Sequence, residues 1–231
     1  MKVKIIHHPT DERCIASAKK LQGLLPFESE LYSKYSDLEP EKFPEHEVVN
    51  YREMDQKYDP PDPVVLKRML GCIFTHYSIW ETLTENTLIL EDDTRPLHDR
   101  IDLDLLENFD GDVINLGTPI FMGEHTNRKA FLEMITGKQG LSKKRKVKGS
   151  CLYGAHAYLV TPKGAEKLNR ATRYSKLARP NDMTVNIDTV DIQDLKPFAF
   201  EQAFYERWSY IRGDIGAQYC AQKFGVFNKQ P

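Results

Sequence analysis

The chain has 231 residues, 40% of them hydrophobic and 29% charged, which is enough apolar side chain to bury one sizeable core and excludes a chiefly disordered protein. Thirty-two Lys and Arg stand against 34 Asp and Glu, a formal charge of −2, so no overall positive field exists and a nucleic-acid footprint would have to be a local patch. No apolar stretch approaches the roughly 20 residues of a membrane helix, and Met1 to His8 show neither the apolar block nor the cleavage site of an export signal, so a soluble cytoplasmic protein with no membrane span is expected.

In chain order, Val3 to His7 reads as a strand that stops at Pro9-Thr10. Thr10 is then placed to cap a helix in which Cys14, Ala18, Leu21 and Leu25 recur at helical spacing, with Asp11 and Glu12 in the first turn, where the dipole favours anions. From Phe27 to Pro63 the chain turns polar and reads mostly as loop, with one strand signal at Val48-Val49 and a stop at Pro60-Pro61-Asp62-Pro63. Leu66, Leu70, Ile73, Tyr77, Trp80 and Leu83 then form a single stripe, which predicts a helix of roughly 20 residues. Thr87-Leu88-Ile89-Leu90 is too short for a helix and is bounded by polar residues, as a buried central strand is.

A second buried strand is predicted at Asp112 to Gly117, after a polar segment carrying Leu103, Leu105, Leu106 and Phe109. Residues 137–149 include Lys143-Lys144-Arg145-Lys146-Val147-Lys148 between glycines and read as a basic mobile loop. Ser150 to Val160 reads as a strand, and Thr161-Pro162 begins a helix with a capping hydroxyl ahead of a proline, turning Ala165, Leu168 and Ala171 inward. Further strands are expected at Thr189 to Ile192 and Phe198 to Phe200, followed by an irregular tail over 212–231. Without repeats or linkers, residues 1–231 form a single α/β domain with a mostly parallel central sheet. Cys14, Cys72, Cys151 and Cys220 are far apart, with no C-x-x-C pair, and read as four reduced thiols.

The chemistry concentrates at Glu91-Asp92-Asp93. Three successive carboxylates behind a buried strand cannot be desolvated without a counter-charge, and carboxyl ends of strands in open α/β sheets border the ligand crevice. A divalent cation answers that need, and hard oxygen ligands select Mg²⁺ or Mn²⁺. The same residues also suit a turn, with Asp side chains on backbone amides and Arg95 as ion-pair partner.

The segment Gly71-Cys72-Ile73-Phe74-Thr75-His76-Tyr77-Ser78-Ile79-Trp80, the strand Leu88-Ile89-Leu90 with Glu91-Asp92-Asp93, and the stretch from Gly154 through Thr161-Pro162-Lys163-Gly164 to Leu168 together resemble glycosyltransferase family 25. That family includes bacterial lipooligosaccharide galactosyltransferases and collagen galactosyltransferase domains. The likeness also touches Ile114 to Gly117, Asn181-Asp182 and Ser209-Tyr210-Ile211.

The resemblance implies a GT-A-type nucleotide-diphospho-sugar transferase domain and a metal-dependent, inverting transfer of a hexose from a UDP-sugar, UDP-glucose or UDP-galactose, to an acceptor hydroxyl on a glycan, a protein or another molecule. It implies Asp93 as ligand to Mn²⁺ or Mg²⁺, Glu91 and Asp92 against ribose, donor sugar or metal-bound water, and Asp182 as the base that takes the acceptor proton. Asp182 equally suits a helix cap, and Asp188, Asp191 and Asp194 are nearby competitors. Arg13, His76 and Gly154 are expected on the donor side, although His76 also suits a hydrogen-bonded structural role, Arg13 a surface ion pair and Gly154 a bulge. His156 reads best as a core imidazole. The basic run is a solvated loop, a cover for the donor diphosphate or an attraction for a phosphate-rich acceptor such as nucleic acid, although it lacks the interleaved aromatics that stack bases. Two other functions fit the same acids: a metal-dependent phosphoesterase and a non-catalytic sugar-nucleotide-binding protein of the same fold.

Overall fold

The computed structural model describes residues 1–34, 47–48, 63–98, 101–119, 132–133, 135–148, 150–152, 155–174, 177–178 and 181–202. Gly154, Ser209-Tyr210-Ile211, Cys220 and the 212–231 segment lie outside the described residues. Strands β1 (Lys2–Ile6), β2 (Glu30–Tyr32), β4 (Thr87–Glu91), β6 (Val113–Asn115), β7 (Gly140–Leu141), β8 (Ala157–Val160) and β10 (Ile192–Lys196) form a seven-stranded sheet in the order β2-β1-β4-β8-β6-β10-β7. β8 runs antiparallel to both β4 and β6, and β7 antiparallel to β10, while β1, β2, β4, β6 and β10 share one direction. The protein is thus α/β with a mostly parallel central sheet, as expected. β3 (Glu47–Val48) pairs with β9 (Leu177–Ala178), and β5 (Thr94–Pro96) with β11 (Phe200–Gln202).

The central position of β4 follows from its side chains: Thr87, Leu88, Ile89 and Leu90 are all buried, so both faces of the strand need covering. Alternate residues serve opposite cores. Ile89, with Tyr158 and Val160 of β8, packs beneath Ile73, Tyr77 and Trp80 of α2 (Pro63–Thr82) and Leu168 of α4 (Pro162–Tyr174). Leu88 and Leu90, with Ala157 and Leu159, pack against Ala18 and Leu21 of α1 (Glu12–Leu24) and Leu106 of α3 (Leu103–Glu107). The period of two in the strands thereby divides the molecule into two apolar layers.

Several local expectations shift. Asp11, not Thr10, caps α1, its carboxylate accepting from the amides of Arg13 and Cys14, while the Thr10 hydroxyl lies 3.3 Å from Nδ1 of His8. A carboxylate is the stronger acceptor at the positive end of the helix. β2 falls inside the segment read as loop; its three residues are too few to show a pattern, and parallel pairing with β1 creates it. β10 begins at Ile192 instead of Thr189, and β8 at Ala157 instead of Ser150. Thr161 caps α4 as expected, accepting from the amide of Gly164 at 3.1 Å.

The basic segment is exposed at Lys143, Lys144, Lys146, Val147 and Lys148, as a solvated run is, but it is anchored at Arg145. The backbone N–H of Arg145 donates to the carbonyl of Ile192 at 2.8 Å, its guanidinium holds Asp194 through two nitrogens and the carbonyl of Cys151 at 2.6 Å, and Lys144 pairs with Asp191 at 2.6 Å. Among the described residues Cys14 and Cys72 are free thiols, and no helix is long and apolar enough to cross a membrane.

The join between α4 and β6 is close. A Cβ added to Gly164 would stand 2.3 Å from the carbonyl oxygen of Asp112, a backbone atom that cannot rotate away. Gly164→Ala should therefore destabilise the fold by roughly 1–3 kcal/mol, lowering the thermal midpoint by about 2–4 °C per kcal/mol; an unchanged melting curve would show that this contact relaxes freely.

Candidate active site

The acidic turn lies at the carboxyl end of β4, beside the end of β1, since Ile6 and Glu91 are register partners. Three elements pin it. The carbonyl of His156 accepts from the Glu91 amide and from the Thr94 hydroxyl, each at 2.8 Å; Ser17 of α1 donates its hydroxyl to the carbonyl of Asp92 at 2.7 Å; and Gln202 of β11 donates to Asp93 Oδ2 at 2.8 Å. Residues 92 and 93 do form a turn, between β4 and β5, so the turn and the acidic site are one structure.

Its three carboxylates diverge. Glu91 projects toward α2, with Oε1 3.4 Å from His76 Nε2 and 3.9 Å from Cys72 Sγ. Asp92 faces Cys14 on α1, and Asp93 faces β11. Asp92 Oδ2 and Asp93 Oδ1 are both buried and accept no hydrogen bond.

Electrostatics follow from that burial. Asp93 is driven well above the usual carboxylate range by desolvation and then by the charges of Glu91 and Asp92. Desolvation, with Glu91 beside it, lifts Asp92 to about 7 despite a hydrogen bond from Cys14. Glu91 is desolvated too, yet it stays below its ordinary value because His76, His156 and the Cys72 thiol favour its anion. Both shifts mean that Asp92 and Asp93 give up their charge to protons unless a cation takes the protons' place. Two buried carboxylate oxygens without partners fit a hard divalent cation, for which Asp93 and Asp92 are suitable ligands, the rest of the shell being water or phosphate.

His76 is fully buried and stacked on Tyr158, with centroids 5.7 Å apart. Its Nδ1 lies 2.8 Å from the Tyr158 hydroxyl, which also accepts from the Trp80 indole at 3.0 Å. An indole N–H only donates, so Tyr158 can turn its own proton to Nδ1 and leave the other ring proton on Nε2, facing Glu91. His76 is thus held as a structural residue is, and its Nε2 stands beside Glu91 of the acidic turn.

Asp182 is the second residue of α5 (Asn181–Thr184) and lies close enough to Cys72 to raise its thiol, behind the effects of desolvation and of Glu91, Asp92 and Asp93. Its competitors Asp191 and Asp194 are committed to Lys144 and Arg145. Arg13 sits on the first turn of α1, its side chain 65% exposed and 3.5 Å from Asp11. His156 is buried and neither ring nitrogen forms a hydrogen bond. A cleft of about 700 Å³ lined by Leu97, His98, Ile101, Asp102 and Gln139 includes none of the predicted residues.

Cys72, Tyr158, Gln202 and Ser17 were not expected at the site. Only Cys72 left a sequence signal: it precedes His76 by four residues on a predicted helix, which puts both on one face. The others come from a strand or helix distant in sequence.

No protein-family model matches the sequence, and no curated protein matches it. Among solved structures the chain is similar to a galactosyltransferase, LgtC, in complex with donor and acceptor sugar analogues, with a TM-score of 0.41 and 10% identity over 100% of this chain and 98% of that one. It is also similar to the apo form of the glycosyltransferase GlyE of Streptococcus pneumoniae TIGR4, with a TM-score of 0.36 and 15% identity over 83% of this chain and 45% of that one. Both likenesses are distant and say nothing of activity.

Burial lowers His156 from 6.5 to about 4, outweighing the charge of Glu91 and a backbone contact with Phe200. The folded protein therefore resists a proton that the unfolded chain accepts, and this residue's contribution to stability, full above pH 6.5, is lost as pH falls toward 4. His156→Asn should lose less stability than wild type between those limits in denaturant titrations; parallel losses would show that the imidazole is not held neutral.

Proposed function

We propose that the protein is a metal-dependent, inverting glycosyltransferase of GT-A type that moves a hexose from UDP-glucose or UDP-galactose to an acceptor hydroxyl. The observation that carries this reading is the pair of buried, unpartnered carboxylate oxygens of Asp92 and Asp93 at the carboxyl edge of the central strand. The sequence resemblance to glycosyltransferase family 25 centres on the same residues.

In this reading Asp93 holds Mn²⁺ or Mg²⁺, with Asp92 beside it. When bound, the cation neutralises the charge that develops on the departing diphosphate. Glu91, kept anionic by His76, orients the donor by accepting from sugar or ribose hydroxyls. Gln202 fixes one oxygen of Asp93 and leaves the other free, so the ligand is aimed before the donor arrives. Asp182 takes the proton of the acceptor hydroxyl, which is a weak nucleophile until it loses it. Arg13, at the amino end of α1 beyond β1, belongs to the donor side, to which the family resemblance also assigns Gly154. The acceptor is a glycan, a protein or another hydroxyl compound. Lys144 and Arg145 pair with Asp191 and Asp194, which leaves the exposed Lys143, Lys146 and Lys148 to meet a phosphate-rich acceptor.

Incubation with UDP-hexose, Mn²⁺ and an acceptor panel tests the reading. Release of UDP with sugar gained by an acceptor supports it; phosphodiester cleavage without sugar transfer, or donor binding without turnover on any acceptor, overturns it. Asp93→Asn should reduce metal-dependent UDP release by about 10²-fold or more, and an unchanged rate would remove Asp93 as ligand. Asp182→Asn should lower transfer by roughly 10²–10⁴-fold while UDP-sugar affinity by calorimetry stays near wild type; equal loss of both would make Asp182 structural.

A further inference from the structure

Behind the acidic turn the structure gathers a donor set of different character. Cys72 Sγ, a ring nitrogen of His76 and a Glu91 carboxylate oxygen all lie within 4.8 Å of one another, and among the described residues no other His, Cys, Asp or Glu atoms meet in threes this way. Glu91, Asp92 and Asp93 themselves do not, because their side chains diverge. We propose that Cys72, His76 and Glu91 form a second cation site, selective for a borderline-soft divalent ion such as Zn²⁺ and separate from the hard-ion position at Asp93.

Three observations support the site. First, His76 is completely buried, yet its Nε2 makes no hydrogen bond although Glu91 Oε1 is only 3.4 Å away. A buried ring nitrogen that stands beside a thiol and a carboxylate, close enough to favour the carboxylate's anion but in hydrogen-bond geometry with neither, has the surroundings of a metal ligand. Second, the spacing suits tetrahedral zinc. Bond lengths of about 2.0–2.1 Å to nitrogen and oxygen and about 2.3 Å to sulfur give edges of roughly 3.4 Å for N···O and 3.6 Å for S···O. The observed separations are 3.4 Å and 3.9 Å.

Third, the outer contacts hold the ligands in place. The Tyr158 hydroxyl fixes the far ring nitrogen of His76, as partners of metal-bound imidazoles do. Its oxygen has lone pairs for both the Trp80 N–H and an Nδ1–H, so the ring can present Nε2 unprotonated to a metal. Asn181 Nδ2 lies 3.9 Å from the Cys72 sulfur. Glu91 is 25% exposed at its side chain, which provides the entry path and a fourth position for water. Binding replaces the thiol proton with the metal: the S–H bond breaks, an S–metal bond forms and one proton passes to solvent. A thiol ligand, rather than a third oxygen, is what favours Zn²⁺ over Mg²⁺ or Mn²⁺ here.

The test uses the whole chain without any sugar nucleotide, so its outcome is independent of the proposed activity. Co²⁺ added to the reduced protein should bind one ion with a thiolate-to-metal charge-transfer absorption that Zn²⁺ abolishes. That absorption should vanish in Cys72→Ser and persist in Cys14→Ser, Cys151→Ser and Asp93→Asn. Its absence in wild type, its survival in Cys72→Ser or its loss in Asp93→Asn would overturn the proposal. A second measurement needs no variant: with Zn²⁺ at ten times its dissociation constant, alkylation of Cys72, followed by peptide mass spectrometry, should slow by about tenfold. Equal alkylation with and without Zn²⁺ would sink the site whether or not the substituted proteins fold.

Discussion

Glu91, Asp92 and Asp93 are carried to their position by a strand that is buried from Thr87 to Leu90, and the rest of the site answers the cost of that placement. A carboxylate taken from water loses several kcal/mol of hydration unless charge or hydrogen bonds replace it. Here the replacement is uneven. Glu91 receives imidazole and thiol neighbours and stays acidic, whereas Asp92 and Asp93 keep buried oxygens with no donor. That imbalance turns a structural turn into a place where a cation, and through it a diphosphate, is favoured.

Divergence of the three side chains gives neighbouring carboxylates different chemistry. One faces nitrogen and sulfur on α2, one faces α1, and one is steered by an amide on β11. A single acidic motif thus borders two coordination environments, one built on the Asp93 carboxylate and one that joins a thiol and an imidazole to Glu91. Their hardness differs, and hardness decides which ions each would accept. Because Glu91 belongs to the second environment and to the proposed donor contacts, an ion held there would compete with the donor for the same carboxylate.

The polar groups beneath the site are organised by the sheet. Tyr158 stands on the antiparallel strand β8, directly across from Ile89, and its hydroxyl joins the Trp80 indole to the His76 imidazole. Farther along the sheet, Arg145 clamps Asp194, which also accepts from Asn115 of β6 at 3.0 Å. This second network anchors the basic segment to β10 and takes two of the competing aspartates out of contention as free bases.

The sequence alone determined the α/β class, a long helix on the stripe from Leu66 to Leu83, buried strands at 87–90 and 112–117, which the structure trims to 113–115, and the acidic tip, because each rests on periodicity or on a run of one residue class within a single element. It also determined that His76 lies on the helix beside the core stripe. Tertiary structure decided the rest: that β2 exists at all, that Asp11 caps α1, that Arg145 is bound, and that Cys72, Tyr158 and Gln202 belong to the site. These depend on strand order and on contacts such as those between residues 76 and 158 or 93 and 202, which leave no trace in local spacing. Even the meaning of three adjacent acids was settled in space, since a turn between β4 and β5 points consecutive side chains at different elements while the sequence only places them side by side.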